Sequence, residues 1–320
     1  MKIVFFETSN FEKEKFNSYL GKTNNLLFFD NAVQENTLND FFDADAICIF
    51  VHSKITKDII SKMPNLTLIC TRSTGIDHID IEECKKRKIE VKNVPFYGEN
   101  TVAEHTFALI LSLSRQIHKS YVRTTEGEFS TEGLQGFDLK DKTLGIIGGG
   151  KIGLHVARIA KSFGMHVRVY DIKHDVFMSE LINFKYSEFD EILKQSDIIT
   201  LHLPLTPSTK HIINKNTIKS MKNGVLLINT ARGALIDTVA LINAISDGKI
   251  AGAGLDVIEG EELLIEENIF NLPSKSAAKI ISQSKELLKN ENVVLTPHNA
   301  FNSVEAVNRI IDTTIYNLQQ

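Results

Sequence analysis

The stretch that most constrains the fold is LGIIGGGKIGLHVARIAKSFGMHVRVYD, residues 144–171. It begins as a short apolar strand, passes through a glycine-rich turn into an amphipathic helix, and ends in a second strand. The turn, GGGKIG at residues 148–153, fits the pattern G-x-G-x-x-G directly after the first strand. A strand, glycine turn, helix and strand in this order is typical of a parallel α/β unit that binds a dinucleotide.

Each glycine of the pattern has a mechanical role. Gly148 permits the tight turn, Gly150 lets the backbone approach a pyrophosphate, and Gly153 lets the helix over residues 151–163 pack closely on the strand. That helix directs its first N–H groups and its partial positive charge at the diphosphate. Asp171 follows Gly153 by 18 residues, where a carboxylate accepts hydrogen bonds from both ribose hydroxyls. Because it would also repel a 2′-phosphate, the sequence predicts NAD rather than NADP.

Composition places the chain among ordinary globular proteins. Its 320 residues are enough for two domains, each with a sizeable core. With 40 acidic and 36 basic residues, it has no charge excess that would favour nucleic acid or a membrane surface as a partner. We expect no metal site, no membrane span and no secretory signal, and therefore a cytoplasmic protein. The three cysteines, Cys48, Cys70 and Cys84, are expected to be core-filling thiols.

The N-terminal part of the chain alternates strand and helix patterns. Strands are predicted at residues 2–7, 26–29, 46–51 and 67–71, and helices at 11–20, 57–62 and 79–87. Such alternation favours a parallel, doubly wound sheet. The first strand runs into Glu7 with no glycine pair, so this domain lacks a phosphate turn and something other than a nucleotide should lie at its edge.

The same alternation continues in a second domain. Its further strands are predicted at residues 198–203, 224–229, 252–256 and 293–296, and its helices at 99–121, 216–221 and 238–247. An amphipathic helix over residues 303–318, with an apolar stripe of Val304, Val307, Ile310, Ile311 and Ile315, should return to the first domain. We predict a flavodoxin-like substrate domain (residues 1–98 and 300–320), a Rossmann NAD-binding domain (99–299) and an interdomain cleft. The polar, helical stretch 262–290 is interpreted as a surface insertion without an assigned function.

One loop of the first domain is a candidate substrate site. It follows the strand at residues 67–71, and open α/β sheets bind ligands at the carboxyl ends of their strands. The backbone N–H groups of Thr74 and Gly75 can hold a small carboxylate there, although a loop of this kind also serves simply as a connector. Tyr97, on the loop before the long helix, can reach the cleft. His105 and His118, within that helix, are interpreted as structural.

Three strand ends of the second domain carry a charged or titratable residue. These are Arg232 in NTARG, Glu261 after LDVIEG, and His298 in TPHNA. Reduction of a 2-keto acid needs a cation that binds the carboxylate and polarises the carbonyl, which a guanidinium does with two parallel hydrogen bonds. It also needs an acid near neutral pH, which suits histidine, and a neighbouring carboxylate that orients the imidazole.

Over nearly its whole length the chain resembles the D-isomer-specific 2-hydroxyacid dehydrogenases. The matching motifs are STGIDHID, NVP followed by TVAEH, GGGKIG, LHLPLTPSTKHIIN, INTARG, GLDV and TPHNA. The resemblance implies that Arg232, Glu261 and His298 are catalytic, with His298 as the proton donor. It implies contacts with the nicotinamide cofactor at Gly148, Gly150, Lys151, Ile152, Gly153, Asp171, Leu203, Pro204, Thr209, Thr230, Ala231, Arg232 and Asp256. It also implies a homodimer built on the cofactor domains.

Within this family, the D-lactate dehydrogenase branch is the most similar. The similarity lies in Arg72 before Thr74 and Gly75, in VPFY, in the EGE that ends at Glu261, and in TPHNAF. It implies reduction of pyruvate to D-lactate by NADH. It also implies substrate contacts at Thr74, Gly75, Tyr97, Arg232, His298 and Phe301. Glu261 stands where the formate dehydrogenase branch has glutamine, which argues against that branch.

Two other functions stay open. The spacing from Glu261 to His298 is longer than that branch suggests, and Thr74 replaces a usual apolar residue, so the substrate could be another 2-keto acid, such as glyoxylate, hydroxypyruvate or a branched acid. A function of a different class is an NAD-sensing binding protein of the transcriptional-corepressor kind, which shares the fold and the three residues.

Overall fold

The computed structural model of the protein describes residues 1–33, 40–261 and 275–320. The chain divides into two compact units, which we call unit 1 (Met1–Tyr97 with Ser303–Gln320) and unit 2 (Gly98–Asn302). The chain passes from one unit to the other beside the boundaries predicted near residues 98 and 300. Each unit contains one sheet in which the strand pairs are parallel.

The described strands are short and mostly buried. In chain order they are β1 (Lys2–Phe5), β2 (Asn25–Phe28), β3 (Ala46–Ile49), β4 (Leu68–Thr71), β5 (Glu90–Lys92), β6 (Thr143–Ile147), β7 (His166–Tyr170), β8 (Lys185–Tyr186), β9 (Ile198–Leu201), β10 (Val225–Asn229), β11 (Ile250–Leu255) and β12 (Val293–Leu295).

The described α-helices connect and cover these strands. They are α1 (Asn10–Leu20), α2 (Lys57–Ser61), α3 (Ile81–Arg87), α4 (Glu99–Ser114), α5 (Ile117–Thr125), α6 (Lys151–Ser162), α7 (Val176–Ile182), α8 (Phe189–Gln195), α9 (Lys215–Ser220), α10 (Thr238–Ser246), α11 (Lys275–Leu288) and α12 (Val304–Gln319). Sequence patterns had indicated most of these elements but not β5, β8, α7 or α8. No described helix is long and apolar enough to cross a membrane.

The sheet of unit 1 has the strand order β2-β1-β3-β4-β5, which is the flavodoxin-like order that was predicted. On one face α12 buries Ile311 and Ile315 against Ile3 and Phe5. The predicted stripe of this helix is wrong at its first position, because the Val304 side chain is 74% exposed.

A buried arginine joins the carboxyl ends of β1 and β4, the two strands that flank the central strand β3. Arg72 follows β4 directly and is 2% exposed. Its guanidinium donates to the carbonyl oxygens of Phe6 (2.6 Å) and Glu7 (2.7 Å) and pairs with the Glu12 carboxylate. Since these partners neutralise and saturate most of the guanidinium, the residue fixes where the loop after β4 begins.

The sheet of unit 2 has seven strands in the order β12-β11-β10-β9-β6-β7-β8. From β6 the chain proceeds to β7 and β8 on one side and then returns to β9 on the other. The point where the direction reverses lies between β6 and β9, which is where doubly wound sheets bind dinucleotides. This is the Rossmann arrangement that the glycine turn predicted.

The predicted single helix over residues 99–121 is wrong. Two helices, α4 and α5, replace it, and Gln116 between them has a left-handed backbone (φ 53°). The Ser114 carbonyl accepts from the Phe137 N–H at 2.9 Å, and a Cβ on Gly136 would lie 2.0 Å from the same oxygen. A distant segment therefore packs on the end of α4 and interrupts it. His118 consequently belongs to α5 and not to the helix of His105.

The stretch 262–290 is only partly described, since residues 262–274 lie outside the described residues. Its remainder forms α11, as the helical pattern indicated. Leu287 of α11 is 2% exposed and belongs to the core of unit 2, so this part of the stretch is integrated into the domain rather than lying apart from it.

The cysteine prediction is confirmed. All three thiols are free and buried, and burial raises the pKa of Cys48 well above its ordinary value. The raised pKa disfavours the reactive thiolate of Cys48, and burial in the core makes all three residues apolar core side chains.

One half-buried histidine is held in its neutral form. His202 follows β9, and its Nε2 lies 2.9 Å from the Thr200 hydroxyl oxygen. Burial lowers the pKa of His202 from 6.5 to about 3. Because the unfolded chain binds a proton here at mildly acidic pH and the folded chain does not, folding is penalised as the pH falls.

We therefore predict that replacing His202 by glutamine flattens the acid side of the stability profile. The stability due to the neutral imidazole is fully present above pH 6.5 and is lost as the pH falls toward 3. Between pH 7 and pH 5 the wild-type protein should lose about 2 kcal/mol more unfolding free energy than His202→Gln. Urea denaturation at both pH values measures this difference. Equal losses in the two proteins would contradict a neutral imidazole at position 202 of the folded protein.

Candidate active site

The three catalytic candidates lie at one edge of the unit 2 sheet. β10, β11 and β12 are neighbours and run parallel, so the segments that follow them emerge at the same edge. Arg232 follows β10, Glu261 follows β11, and His298 follows β12. The topology thus collects on one sheet edge residues that are far apart in the sequence.

His298 and Glu261 form a direct pair. The Nδ1 atom of His298 lies 2.7 Å from Oε1 of Glu261, and the two side chains are 16% and 24% exposed. The other carboxylate oxygen of Glu261 accepts from the Ile258 N–H at 3.1 Å. Since an ionised carboxylate can only accept, Nδ1 is the donor. The pair therefore fixes the orientation of the imidazole, and Nε2 is the ring nitrogen on its other side.

Asp256 holds the turn that carries His298. Its carboxylate accepts from the backbone N–H groups of Asn299 (3.0 Å) and Ala300 (2.8 Å) and from the Thr296 hydroxyl. Its carbonyl oxygen accepts from the His298 N–H at 2.8 Å, and His298 has a left-handed backbone (φ 50°). The resemblance had implied a cofactor contact for Asp256; the structure shows a residue whose carboxylate is engaged within the protein.

Arg232 is brought toward Glu261 by a close approach of two backbones. Its neighbour Gly233 packs so tightly on the chain after β11 that a Cβ there would lie 2.1 Å from the Ile258 carbonyl carbon. The Asn229 amide donates to the Arg232 carbonyl at 2.9 Å, which holds the loop from the strand side. Only glycine fits at position 233, so the distance between the Arg232 and Glu261 loops depends on it.

The glycine turn has the geometry that the sequence pattern predicts. Gly148 has φ 106°, and a Cβ on Gly153 would lie 2.0 Å from the Gly148 carbonyl oxygen, so α6 packs directly on the turn. At Gly150, which caps α6, a Cβ would meet no described atom within 4 Å. The first and third glycines thus serve packing within the protein, whereas the second faces open space at the N-terminus of a helix. This space fits a diphosphate.

Asp171 lies beside this turn. Its Oδ2 accepts from the Gly149 N–H at 2.7 Å, and its Oδ1 accepts from the Lys173 N–H at 2.8 Å. The carboxylate is therefore held at the end of β7, next to the strand that leads into the glycine turn. Its negative charge at this point agrees with selection of NAD over a 2′-phosphorylated dinucleotide.

The remaining cofactor candidates follow the same sheet edge. They come after β6, β9 and β10, on both sides of the point where the strand order reverses: Lys151, Ile152, Leu203, Pro204, Thr209, Thr230 and Ala231. Thr209 donates its hydroxyl to the Pro204 carbonyl at 2.7 Å, and the Thr230 hydroxyl lies 3.0 Å from that of Thr106.

The substrate candidates fall in both units. Within unit 1, the loops after β4 and β5 are joined: Thr74 donates its hydroxyl to the Val94 carbonyl at 3.0 Å, and the Asn93 amide donates to the Thr74 carbonyl at 2.7 Å. Arg309 of α12 donates to the Tyr97 carbonyl at 2.8 Å. The structure therefore brings Gly75, Thr74 and Tyr97 into one set of linked loops. Phe301, in unit 2, is half-buried.

Two contacts around the site were not anticipated. His105 of α4 lies against Thr296 and Asp256, and Nε2 of His211 lies 2.9 Å from Oε1 of Glu259. The only sequence signal for either was a histidine next to a motif, TVAEH or TPSTKH. Local pattern does not reveal which strand end lies opposite such a residue.

Gly153 and Gly150 should respond differently to replacement by alanine. Gly153→Ala should lower the unfolding free energy by about 2–3 kcal/mol, because its methyl group meets a backbone oxygen that cannot move away cheaply. Gly150→Ala should leave the unfolding free energy within about 0.5 kcal/mol of the wild-type value. It should nevertheless raise the Kd for NADH by about tenfold or more. Urea denaturation and fluorescence titration with NADH measure the two effects. Normal NADH affinity in Gly150→Ala would remove the diphosphate from this position.

Comparison with known proteins agrees with this geometry. The family profile described as "D-isomer specific 2-hydroxyacid dehydrogenase, NAD binding domain" matches residues 107–300. The D-lactate dehydrogenase of Escherichia coli is 36% identical, over 99% of this chain and 96% of that protein. An aromatic 2-oxoacid reductase of Clostridium sporogenes is 40% identical, over 86% of this chain and 82% of that protein.

A solved structure extends the likeness to the whole fold. The crystal structure of D-lactate dehydrogenase from Aquifex aeolicus, complexed with NAD and lactic acid, superposes with a TM-score of 0.90 at 38% identity, covering 99% of this chain and 94% of that one. The chain therefore belongs to the D-isomer-specific 2-hydroxyacid dehydrogenases, NAD-dependent oxidoreductases that act on the CH–OH group of D-2-hydroxy acids.

Proposed function

We propose that the protein is a D-lactate dehydrogenase that reduces pyruvate to D-lactate with NADH, and that His298 is the proton donor. The observation that carries the proposal is the 2.7 Å pair between His298 and Glu261, next to the loop of Arg232 at the carboxyl edge of the sheet. An oriented imidazole, a carboxylate and a guanidinium are the groups that reduction of a 2-keto acid requires.

Arg232 supplies the fixed positive charge. Its guanidinium binds the substrate carboxylate with two parallel hydrogen bonds and polarises the C2 carbonyl. Its Nη1 donates to the Ala231 carbonyl at 2.8 Å, which restrains the side chain close to its own loop. In the proposal, the Thr74 and Gly75 N–H groups bind the same carboxylate, and Tyr97 and Phe301 contact the rest of the substrate.

His298 supplies the proton. When bound, NADH would supply the hydride for C2 of the keto acid, and negative charge would then develop on the C2 oxygen. The Nε2–H of His298 protonates that oxygen, and the ring recovers its proton from water afterwards. Glu261 accepts from the Nδ1–H throughout, so the second proton of the imidazolium lies on Nε2, the outward-directed atom, and this is the proton that the substrate receives.

Pyruvate is the leading substrate because two of the relatives described above are D-lactate dehydrogenases, one of them solved with lactic acid. A reductase of a bulkier 2-keto acid is the second candidate, supported by the similarity to an aromatic 2-oxoacid reductase. The Thr74 hydroxyl donates to the Val94 carbonyl at 3.0 Å, so it is directed to the neighbouring loop. The methyl group is therefore the part of the Thr74 side chain that can contact a substrate.

The proposal includes a cytoplasmic homodimer. Free, buried thiols at all three cysteine positions suit a reducing compartment. Exposed apolar side chains on α5, at Ile117, Tyr121 and Val122, support an interface on unit 2.

Substitution of the proton donor tests the mechanism. His298→Asn should lower kcat by about a hundredfold to ten-thousandfold, because asparagine forms hydrogen bonds but cannot give up a proton near neutral pH. The Kd for NADH should stay within about twofold of wild type, since the change leaves the glycine turn intact. His166→Asn, an exposed histidine on β7, is the matched control and should be fully active. A His298→Asn enzyme with more than a third of the wild-type kcat would refute the assignment.

A panel of keto acids tests the substrate. We expect pyruvate to give the highest kcat/KM among pyruvate, 2-ketobutyrate, phenylpyruvate, hydroxypyruvate and glyoxylate, with at least a tenfold or so preference over phenylpyruvate. NADH oxidation measures the rates, and chiral chromatography should show the D isomer as product. A preference for phenylpyruvate would establish the bulky-substrate alternative instead.

A further inference from the structure

The mechanism leaves unexplained a half-buried histidine next to the site. His105 lies near the middle of α4, and its side chain is 20% exposed. Its Nε2 is 3.0 Å from the Thr296 hydroxyl oxygen and 3.4 Å from Oδ1 of Asp256, whose side chain is fully buried. Through His105, α4 thus contacts Thr296 and Asp256, the two residues that hold the turn carrying His298.

Counting donors gives the direction of these hydrogen bonds. The Thr296 hydroxyl has one proton and makes its short contact with the Asp256 carboxylate, its other contact being a 3.5 Å approach to the Leu255 carbonyl. A carboxylate only accepts, so the hydroxyl proton lies on the Asp256 side. The Thr296 oxygen must then accept from His105, and Nε2 of His105 carries a proton. The order of donation is His105 to Thr296 to Asp256.

Asp256 passes this restraint to the catalytic turn. Its two carboxylate oxygens bind the N–H groups of Asn299 and Ala300, and its carbonyl binds the N–H of His298. A non-glycine residue with φ 50° is held by its surroundings rather than by its own preference. Any shift of Asp256 would therefore be a shift of His298 relative to Glu261.

α4 is itself anchored beside the Arg232 loop. Thr106, the residue after His105, places its hydroxyl 3.0 Å from that of Thr230, and both side chains are buried. Two consecutive residues of one helix thus contact the segment before Arg232 and the segment before His298. The helix α4 can therefore hold the carboxyl ends of β10 and β12 at a fixed distance from each other.

We propose that His105 is a positioning residue for proton transfer: acting through Thr296 and Asp256, it sets the place of His298 against Glu261. This inference rests on the proposed function, because it presumes that His298 is the proton donor. It assigns to His105 a role different from that of His118, whose two ring nitrogens lie 3.2 Å and 2.9 Å from the backbone carbonyls of Ser112 and Glu291.

The test compares four variants of the full-length enzyme. His105→Leu removes the donor, His105→Gln keeps an N–H donor at a similar reach, Thr296→Val removes the bridging hydroxyl at equal size, and His118→Leu is the control. Each is assayed for kcat and KM with pyruvate, for the pH dependence of kcat/KM, for NADH affinity and for Tm. His298→Asn is assayed beside them.

We expect His105→Leu and Thr296→Val to lower kcat by about tenfold to a hundredfold, since a displacement of the proton donor near 1 Å has an effect of this size. The alkaline limb of the kcat/KM profile should move by at least about 0.5 pH unit, because the contact of His298 with Glu261 changes. NADH affinity should stay within about threefold, His105→Gln should recover to within about threefold of wild-type kcat, and His118→Leu should match wild type.

Three results would overturn the proposal. The first is a lower Tm in His105→Leu with wild-type kcat and an unmoved pH profile, as a merely structural residue would give. The second is a His105→Gln enzyme as impaired as His105→Leu. If His105→Leu does not fold, Thr296→Val decides, and wild-type turnover in it is the third. An active His298→Asn enzyme would instead refute the proposed function, whereas an inactive one beside an active His105→Leu would refute only the positioning role.

Discussion

The candidate site depends on one buried carboxylate. Asp256 directly follows β11, is 1% exposed, and provides both carboxylate oxygens and its carbonyl to the turn after β12. Without it, the N–H groups of Asn299 and Ala300 would lose their partners, at about 1–3 kcal/mol for each buried group. The position of the imidazole is therefore set from the neighbouring strand, not by the residues next to it in the sequence.

The parallel sheet explains why such an arrangement arises at one edge. In a parallel sheet every strand ends on the same side, so the segments that directly follow β10, β11 and β12 emerge together at one edge. Gly233 then lets the first two of these segments touch backbone to backbone. The glycine turn after β6 opens on the same edge, which places the dinucleotide-binding groups and the acid–base pair in one unit of the chain.

The sequence predicted local structure well and contacts between distant residues poorly. The spacing from Gly153 to Asp171 predicted a carboxylate beside the glycine turn, and the 2.7 Å bond to the Gly149 N–H lies there, because a single strand, helix and strand fixes both ends. The break between α4 and α5 was missed, since its cause is Gly136, more than twenty residues away. The protein contacts of Asp256 were not predicted for the same reason, as its partners lie some forty residues further on.

The two sheets also differ in whether the backbone N–H groups at their carboxyl edges are hydrogen-bonded within the protein. In unit 1 the Glu7 carboxylate accepts from the N–H groups of Phe50 (3.1 Å) and His52 (3.0 Å) and from the Ser53 hydroxyl. An internal anion thus occupies the donors that follow β3, and its charge repels a phosphate. In unit 2 the cap of α6 is Gly150, which has no side chain to accept from the first turn, so those donors face the space beyond it. One parallel architecture therefore gives an edge closed to phosphate in unit 1 and an edge prepared for it in unit 2.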